Sequence, residues 1–156
     1  MNVIDDRVRT DRERKPWDQD AIELIFDPRK DPARANNRAD YGSGYRNFGY
    51  LSFSPAESPQ QMAVEPRELI PPELSIVTRL TPRGYAAEIA IPHTLLDRMH
   101  RDGSWNAVRF NLTIQDTDDS FEQQSTLRWQ PGWDSPQNQP GSGTFRRTPP
   151  RGGTWP

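Results

Sequence analysis

The chain has 156 residues, 32% of them hydrophobic and 27% charged, with a formal net charge of −2. That length supports one domain with a core of its own, and the near balance of charge excludes the basic excess that a nucleic-acid surface needs. No run approaches the roughly 18 apolar residues of a membrane span, and the absence of cysteine excludes disulfide and thiolate chemistry.

The opening MNVIDDRVRTDRERKPW has no apolar h-region, so no signal peptide is visible. Asn2, Val3 and Ile4 read as the end of a strand with nothing before them, which predicts that the chain begins inside a domain of a longer parent. Residues 5–16 are a charged loop in which arginines alternate with acids. AIELIF (21–26) is a predicted strand, with Ile22, Leu24 and Phe26 on one face and Ala21, Glu23 and Ile25 on the other. Residues 27–46 carry turn chemistry throughout. NFGYLSF (47–53) is a predicted strand ended by Pro55, and residues 54–73 are a proline-rich loop.

LSIVTRL (74–80) and YAAEIAI (85–91) flank the turn TPRG and predict a hairpin. Pro92 stops the second strand and opens a short helix, HTLLDRMH (93–100), which Gly103 ends. AVRFNLTIQ (107–115) alternates strictly, with Val108, Phe110, Leu112 and Ile114 opposed to Arg109, Asn111, Thr113 and Gln115. STLRW (125–129) and Thr144–Arg147 are further short strands, and residues 148–156 form a disordered tail. With 16 prolines and 10 glycines cutting the chain, the expected fold is all-β: an antiparallel β-sandwich with one short helix over residues 1–147.

Trp17 stands at the mouth of the first long strand, beside charged loops. Such a ring often closes the rim of a core. It can also cover the apolar C–H face of a sugar, where burying about 100 Å² would contribute roughly 2 kcal/mol. Glu23 points away from Ile22, Leu24 and Phe26. It is either a solvated strand residue or an acceptor for sugar hydroxyls, since sugar recognition joins an aromatic face to fixed polar groups.

The segment IDD…PWDQDAIELIFDP resembles the family 9 carbohydrate-binding modules, as do GYAAEIAIP with its short helix, VRFNLTIQD, and LRW followed by a loop with Trp133. The order and spacing match over residues 3–147. The resemblance implies a β-sandwich that binds sugars without catalysis, with Trp17 and Trp133 sandwiching the ring and Asp6 and Glu23 bonding its hydroxyls. Arg46 is the nearest match to the family's binding arginine, because the strand at 47–53 contains none. His93 stands where the family often has tryptophan, and the family's first strands are missing. The resemblance further implies an oligo- or polysaccharide ligand of cellulose or xylan type, a covalently linked catalytic domain in a longer parent, and a secreted or extracellular location. No cofactor is required, although the family carries structural calcium.

Asp116, Asp118 and Asp119 offer hard oxygen ligands for calcium or an ordinary acidic turn, and Asp27, Asp31 and Asp40 share that ambiguity. His93 and His100 read as surface or helix-end residues. Asn111-Leu-Thr is a glycosylation sequon inside a predicted strand, which argues against its use. Two other functions compete with sugar binding. A glycosidase would need two carboxylates about 5–9 Å apart, such as Asp6 and Glu23, but nothing in the sequence stands ready to raise the pKa of either. A spacer or docking sandwich would keep the fold and lose the site.

Overall fold

The computed structural model describes residues 1–30, 49–67, 70–118, 120, 124–130 and 143–148. Within them the strands are β1 (Asn2–Ile4), β2 (Ala21–Asp27), β3 (Gly49–Phe53), β4 (Val64–Glu65), β5 (Ser75–Thr81), β6 (Gly84–Ala90), β7 (Ala107–Thr117), β8 (Gln124–Arg128) and β9 (Gly143–Arg146). One helix, α1 (His93–His100), follows β6, and a 3-10 turn, Pro16–Asp18, precedes β2. All pairings are antiparallel. They form a three-stranded sheet in the order β1-β6-β5 and a six-stranded sheet in the order β4-β3-β2-β7-β8, with β9 also on β7. The chain is therefore the expected antiparallel sandwich with one short helix.

Alternation places the core. In β2, Ile22 lies opposite Phe53 and Ile114, Leu24 opposite Leu51 and Leu112, and Phe26 opposite Gly49 and Phe110. These residues form the inner face of the larger sheet and meet Tyr85 and Ala87 of β6 and Leu95 and Leu96 of α1. Gly49 is needed because a Cβ there would stand 2.0 Å from the Phe26 ring. Gly84 has φ 122°, and a Cβ on it would come within 2.3 Å of the Val3 carbonyl oxygen. The hairpin thus closes against β1 only with glycine at that position.

Several boundaries differ from the sequence reading. The hairpin pairs Thr81 with Gly84, so its loop is Pro82 and Arg83 alone. The helix spans His93–His100 as read, but its left-handed cap is Arg101, with φ of 67°, two residues before Gly103. β4 was not expected, because two residues within a proline-rich loop show no period. β8 stops at Arg128, so Trp129 lies beyond it. The predicted tail lies outside the described residues, apart from its first residue.

The free edge of β7 is shared by two strands. Residues 107–110 pair with β9 and residues 113–117 with β8. Asn111 sits at the junction, fully buried. Its side-chain oxygen accepts from Gln130 N at 3.0 Å and its amide donates to the Gln130 carbonyl at 3.3 Å, in place of ladder bonds. The sequon is therefore closed to a glycan. Asn111→Ala is expected to destabilise the fold by about 1–3 kcal/mol, because it strands both Gln130 groups. Urea unfolding of the two proteins measures the difference.

Candidate functional site

The outer face of the six-stranded sheet carries the polar half of the alternation. The registers align Glu65, Ser52, Glu23, Thr113 and Arg128 as one row across β4, β3, β2, β7 and β8. At about 4.8 Å per strand the row spans roughly 19 Å. Glu23 is its centre. Burial raises its carboxyl above the usual range, while hydrogen bonds from the Gln115 side chain and Tyr50 and the charge of Arg128 oppose that rise. The Tyr50 hydroxyl donates at 3.4 Å. On either side of Glu23, Ser52 and Thr113 are buried, and neither hydroxyl has a hydrogen-bond partner. Buried hydroxyls normally find partners, so the two stand as unsatisfied groups flanking Glu23 in the row.

Trp17 belongs to the same face. The turn Pro16–Asp18 packs against β2 and β3. Lys15 binds the Glu65 carboxylate with Nζ and holds the same atom 5.7 Å from the centre of the Trp17 ring. Trp17 is 39% exposed, so part of it is open to solvent. The turn is fixed from beneath. Gln19, fully buried, accepts from Asp11 N and donates to the carbonyl oxygens of Asp11, Arg14 and Lys15. The run of charges from residue 5 to 16 is thus a tethered loop.

Asp6 belongs to an acidic cluster. Carboxylate oxygens of Asp5, Asp6 and Asp118 lie within 4.8 Å of one another, and so do those of Asp5, Asp20 and Asp116. Asp20 accepts backbone N–H bonds from Arg9 and, at 2.6 Å, from Thr117. Burial nevertheless lifts its pKa to about 7, helped by the charges of Asp5 and Asp116. Burial and the neighbouring Asp118, Asp5 and Asp6 raise Asp116 as well. Tyr85 is buried against the same group. Its hydroxyl has no partner, and burial together with Asp20, Asp5 and Asp116 raises its pKa. Of the acidic turn read from the sequence, Asp116 and Asp118 join this cluster and Asp119 lies outside the described residues. Asp5 and Asp20 arrive from positions about a hundred residues away, which no local spacing could show.

Arg46, Trp133, Asp31 and Asp40 lie outside the described residues. Asp27 is engaged in a buried ion pair: its two oxygens take Nε and one terminal nitrogen of Arg29 at 2.9 Å each. His93 is exposed beside Asp97. His100, by contrast, is not a surface residue; it is buried and Nδ1–H donates to the Pro28 carbonyl at 2.7 Å. Trp129 sits on the inner face, stacked on Phe145 with centroids 5.3 Å apart and edge-on to Phe110. One objection to a glycosidase also changes, because burial does raise the Glu23 carboxyl. Tyr50, Gln115 and Arg128 were not singled out as site residues from sequence. The polar faces of NFGYLSF and AVRFNLTIQ held the signal for the first two.

A family model described as carbohydrate family 9 binding domain-like matches residues 1–142. The chain belongs to that family. No curated protein matches it.

Proposed function

We propose that this member of the carbohydrate family 9 binding domain-like family seats a sugar on the outer face of its larger sheet, with Trp17 under the ring and Glu23 accepting from its hydroxyls. Family membership supports carbohydrate binding by a non-catalytic module. The observation that carries the site is the half-buried Glu23 carboxylate in one polar row with Glu65 and Arg128, with the exposed Trp17 ring held to that row by Lys15. A carboxylate accepts and a guanidinium donates, which suits the alternating demands of vicinal sugar hydroxyls. Arg128 supplies the cation of the row. Asp6, Arg46 and Trp133 join the contact set on the family resemblance, as does the reading of a cellulose- or xylan-type ligand, an attached catalytic domain and a secreted protein.

The same resemblance brings structural calcium, and the acidic cluster suits it. Asp5, Asp20 and Asp116 supply hard oxygen donors, and the orphaned Tyr85 hydroxyl is buried beside them. A metal there would neutralise charges that now repel one another.

Titration of tryptophan fluorescence with cellobiose, xylobiose and glucose tests the sugar seat. A saturable change is expected. Trp17→Ala should weaken binding about 30-fold, the equivalent of roughly 2 kcal/mol. Glu23→Gln should weaken it about 10- to 100-fold, as loss of a charge-assisted hydrogen bond does. A flat response from folded protein would leave the spacer reading in its place. Turnover of chromogenic glycosides that Glu23→Gln abolishes would replace binding with catalysis.

A further inference from the structure

Charge on the polar row, and on the turn beside it, is unevenly matched. Lys15 and Glu65 neutralise each other, with Nζ 2.5 Å from the carboxylate. Arg128 is exposed on β8, and the registers put it two strands from Glu23, about 10 Å away. That is about one Debye length in ordinary buffer, so the charge of Arg128 reaches Glu23 weakened. Asp18 stands exposed next to Trp17 in the turn, and among the described residues no cation bonds its carboxylate.

Glu23 is the group left without a counter-ion. Its hydrogen bonds come from neutral groups, the Gln115 side chain and the Tyr50 hydroxyl, the latter at 3.4 Å. Among the described residues no cation lies in ion-pair contact with it. The side chain is half-buried, and burial raises its carboxyl, as expected of an anion short of compensation. The cost of removing this carboxylate from water is borne by the fold before any ligand arrives. A cation brought to it therefore gains more than it would at an exposed acid, because the local dielectric is lower. A sugar hydroxyl offers Glu23 a third neutral bond of the kind it already has. An ammonium offers the bond and the missing charge together. The Trp17 ring favours a cation as well: Lys15 Nζ already stands 5.7 Å from its centre.

We propose that this seat selects sugars that carry a protonated amino group on the ring over neutral sugars of the same shape. The inference rests on the sugar reading of Trp17 and Glu23 and deepens it by naming the charge of the ligand. The C–H face of the ring lies on Trp17, and the ammonium pairs with the Glu23 carboxylate. Asp18 adds a second negative charge at the turn. Lys15 stays neutralised by Glu65, and Arg128 stays at the far end of the row.

The test titrates the full 156-residue chain with cellobiose, with the matching β-linked dimer of glucosamine and with the N-acetylated form of that dimer, read by calorimetry. At about pH 7 and low salt the glucosamine dimer is expected to bind about 10-fold tighter than cellobiose, the difference between a charge-assisted and a neutral hydrogen bond. The preference needs an ionised Glu23 and a protonated amine. It should therefore vanish at about pH 9, where an amine of pKa ~8 has lost its proton, and fade in acid as the raised Glu23 carboxyl takes one up. Added salt should shrink it. The N-acetylated dimer, which is neutral, should show no gain over cellobiose. Glu23→Gln should bring the glucosamine dimer and cellobiose to equal affinity; if that variant fails to fold, the pH series and the N-acetylated dimer decide. Equal affinity of the two dimers in the native chain overturns the inference and leaves the sugar seat standing. A preference that survives Glu23→Gln, or persists at about pH 9, overturns it as well, because the selectivity then has another source. If no sugar binds the folded chain, the sugar reading fails and this inference falls with it.

Discussion

Arg29→Ala is expected to lower the unfolding free energy by about 3–5 kcal/mol, the loss usual when one partner of a buried ion pair is removed. Asp27 is 1% and Arg29 6% exposed. Asp27 accepts two guanidinium bonds and the Arg29 backbone N–H at 3.0 Å. Without the guanidinium the carboxylate remains in the interior with one of those three donors. Arg109 stands directly across from Asp27 on β7, and its reach sets how much of the loss is recovered. Replacing both Asp27 and Arg29 by leucine should be far milder than either single change, because no charge is then left behind. Denaturant midpoints for the single and double variants measure this. A single-variant loss below about 1 kcal/mol would show that Arg109 or water takes over the carboxylate. The pair matters to function through position: it fixes the end of β2, and the next residue, Pro28, anchors the helix through His100.

This pair also shows where the sequence could be read and where it could not. Alternation in AIELIF and AVRFNLTIQ assigned Ile22, Leu24 and Phe26 to the core and Glu23 to the opposite face, because a strand has one period and a half-buried sheet rewards it. The same alternation put Thr113 and Gln115 on the polar face of their own strand. What it could not supply was register. Arg128 reaches Glu23 only because Thr113 aligns with Arg128 on β8 and with Glu23 on β2. Trp17 and Glu23 were legible as a pair, being six residues apart across one turn. Asp6 was legible as an acid near that turn, but not as a neighbour of Asp118, which closure of the sandwich brings to it. Asp27 looked like a loop acid because its partner, two residues on, bends back into the interior, and no periodicity records a chain that folds upon itself.

The acidic cluster leads to the second large effect. Asp5 follows β1, Asp20 precedes β2, Asp116 lies near the end of β7, and Tyr85 is in β6. Asp5 N also bonds the Arg83 carbonyl at 3.2 Å, at the tip of the β5–β6 hairpin. A cation held by these groups would tie the small sheet to the large one at the end where the loops converge. On the proposal of structural calcium, the ion at about a hundred times its dissociation constant should stabilise the fold by about 2.7 kcal/mol. For a domain of this length that raises Tm by about 5–10 °C. Sodium chloride at equal ionic strength should do much less, since diffuse screening supplies no ligand bonds. Magnesium should substitute poorly, because it demands a tighter octahedron and gives up water reluctantly. Asp116→Asn keeps both backbone bonds to Asp20 and should remove the calcium response. Thermal unfolding with chelator, calcium, magnesium and sodium separates these cases. If sodium matches calcium, the cluster is a set of repelling charges eased by salt. If Asp116→Asn retains the full calcium shift, the ion binds elsewhere, and the orphaned Tyr85 hydroxyl belongs to the packing between the sheets.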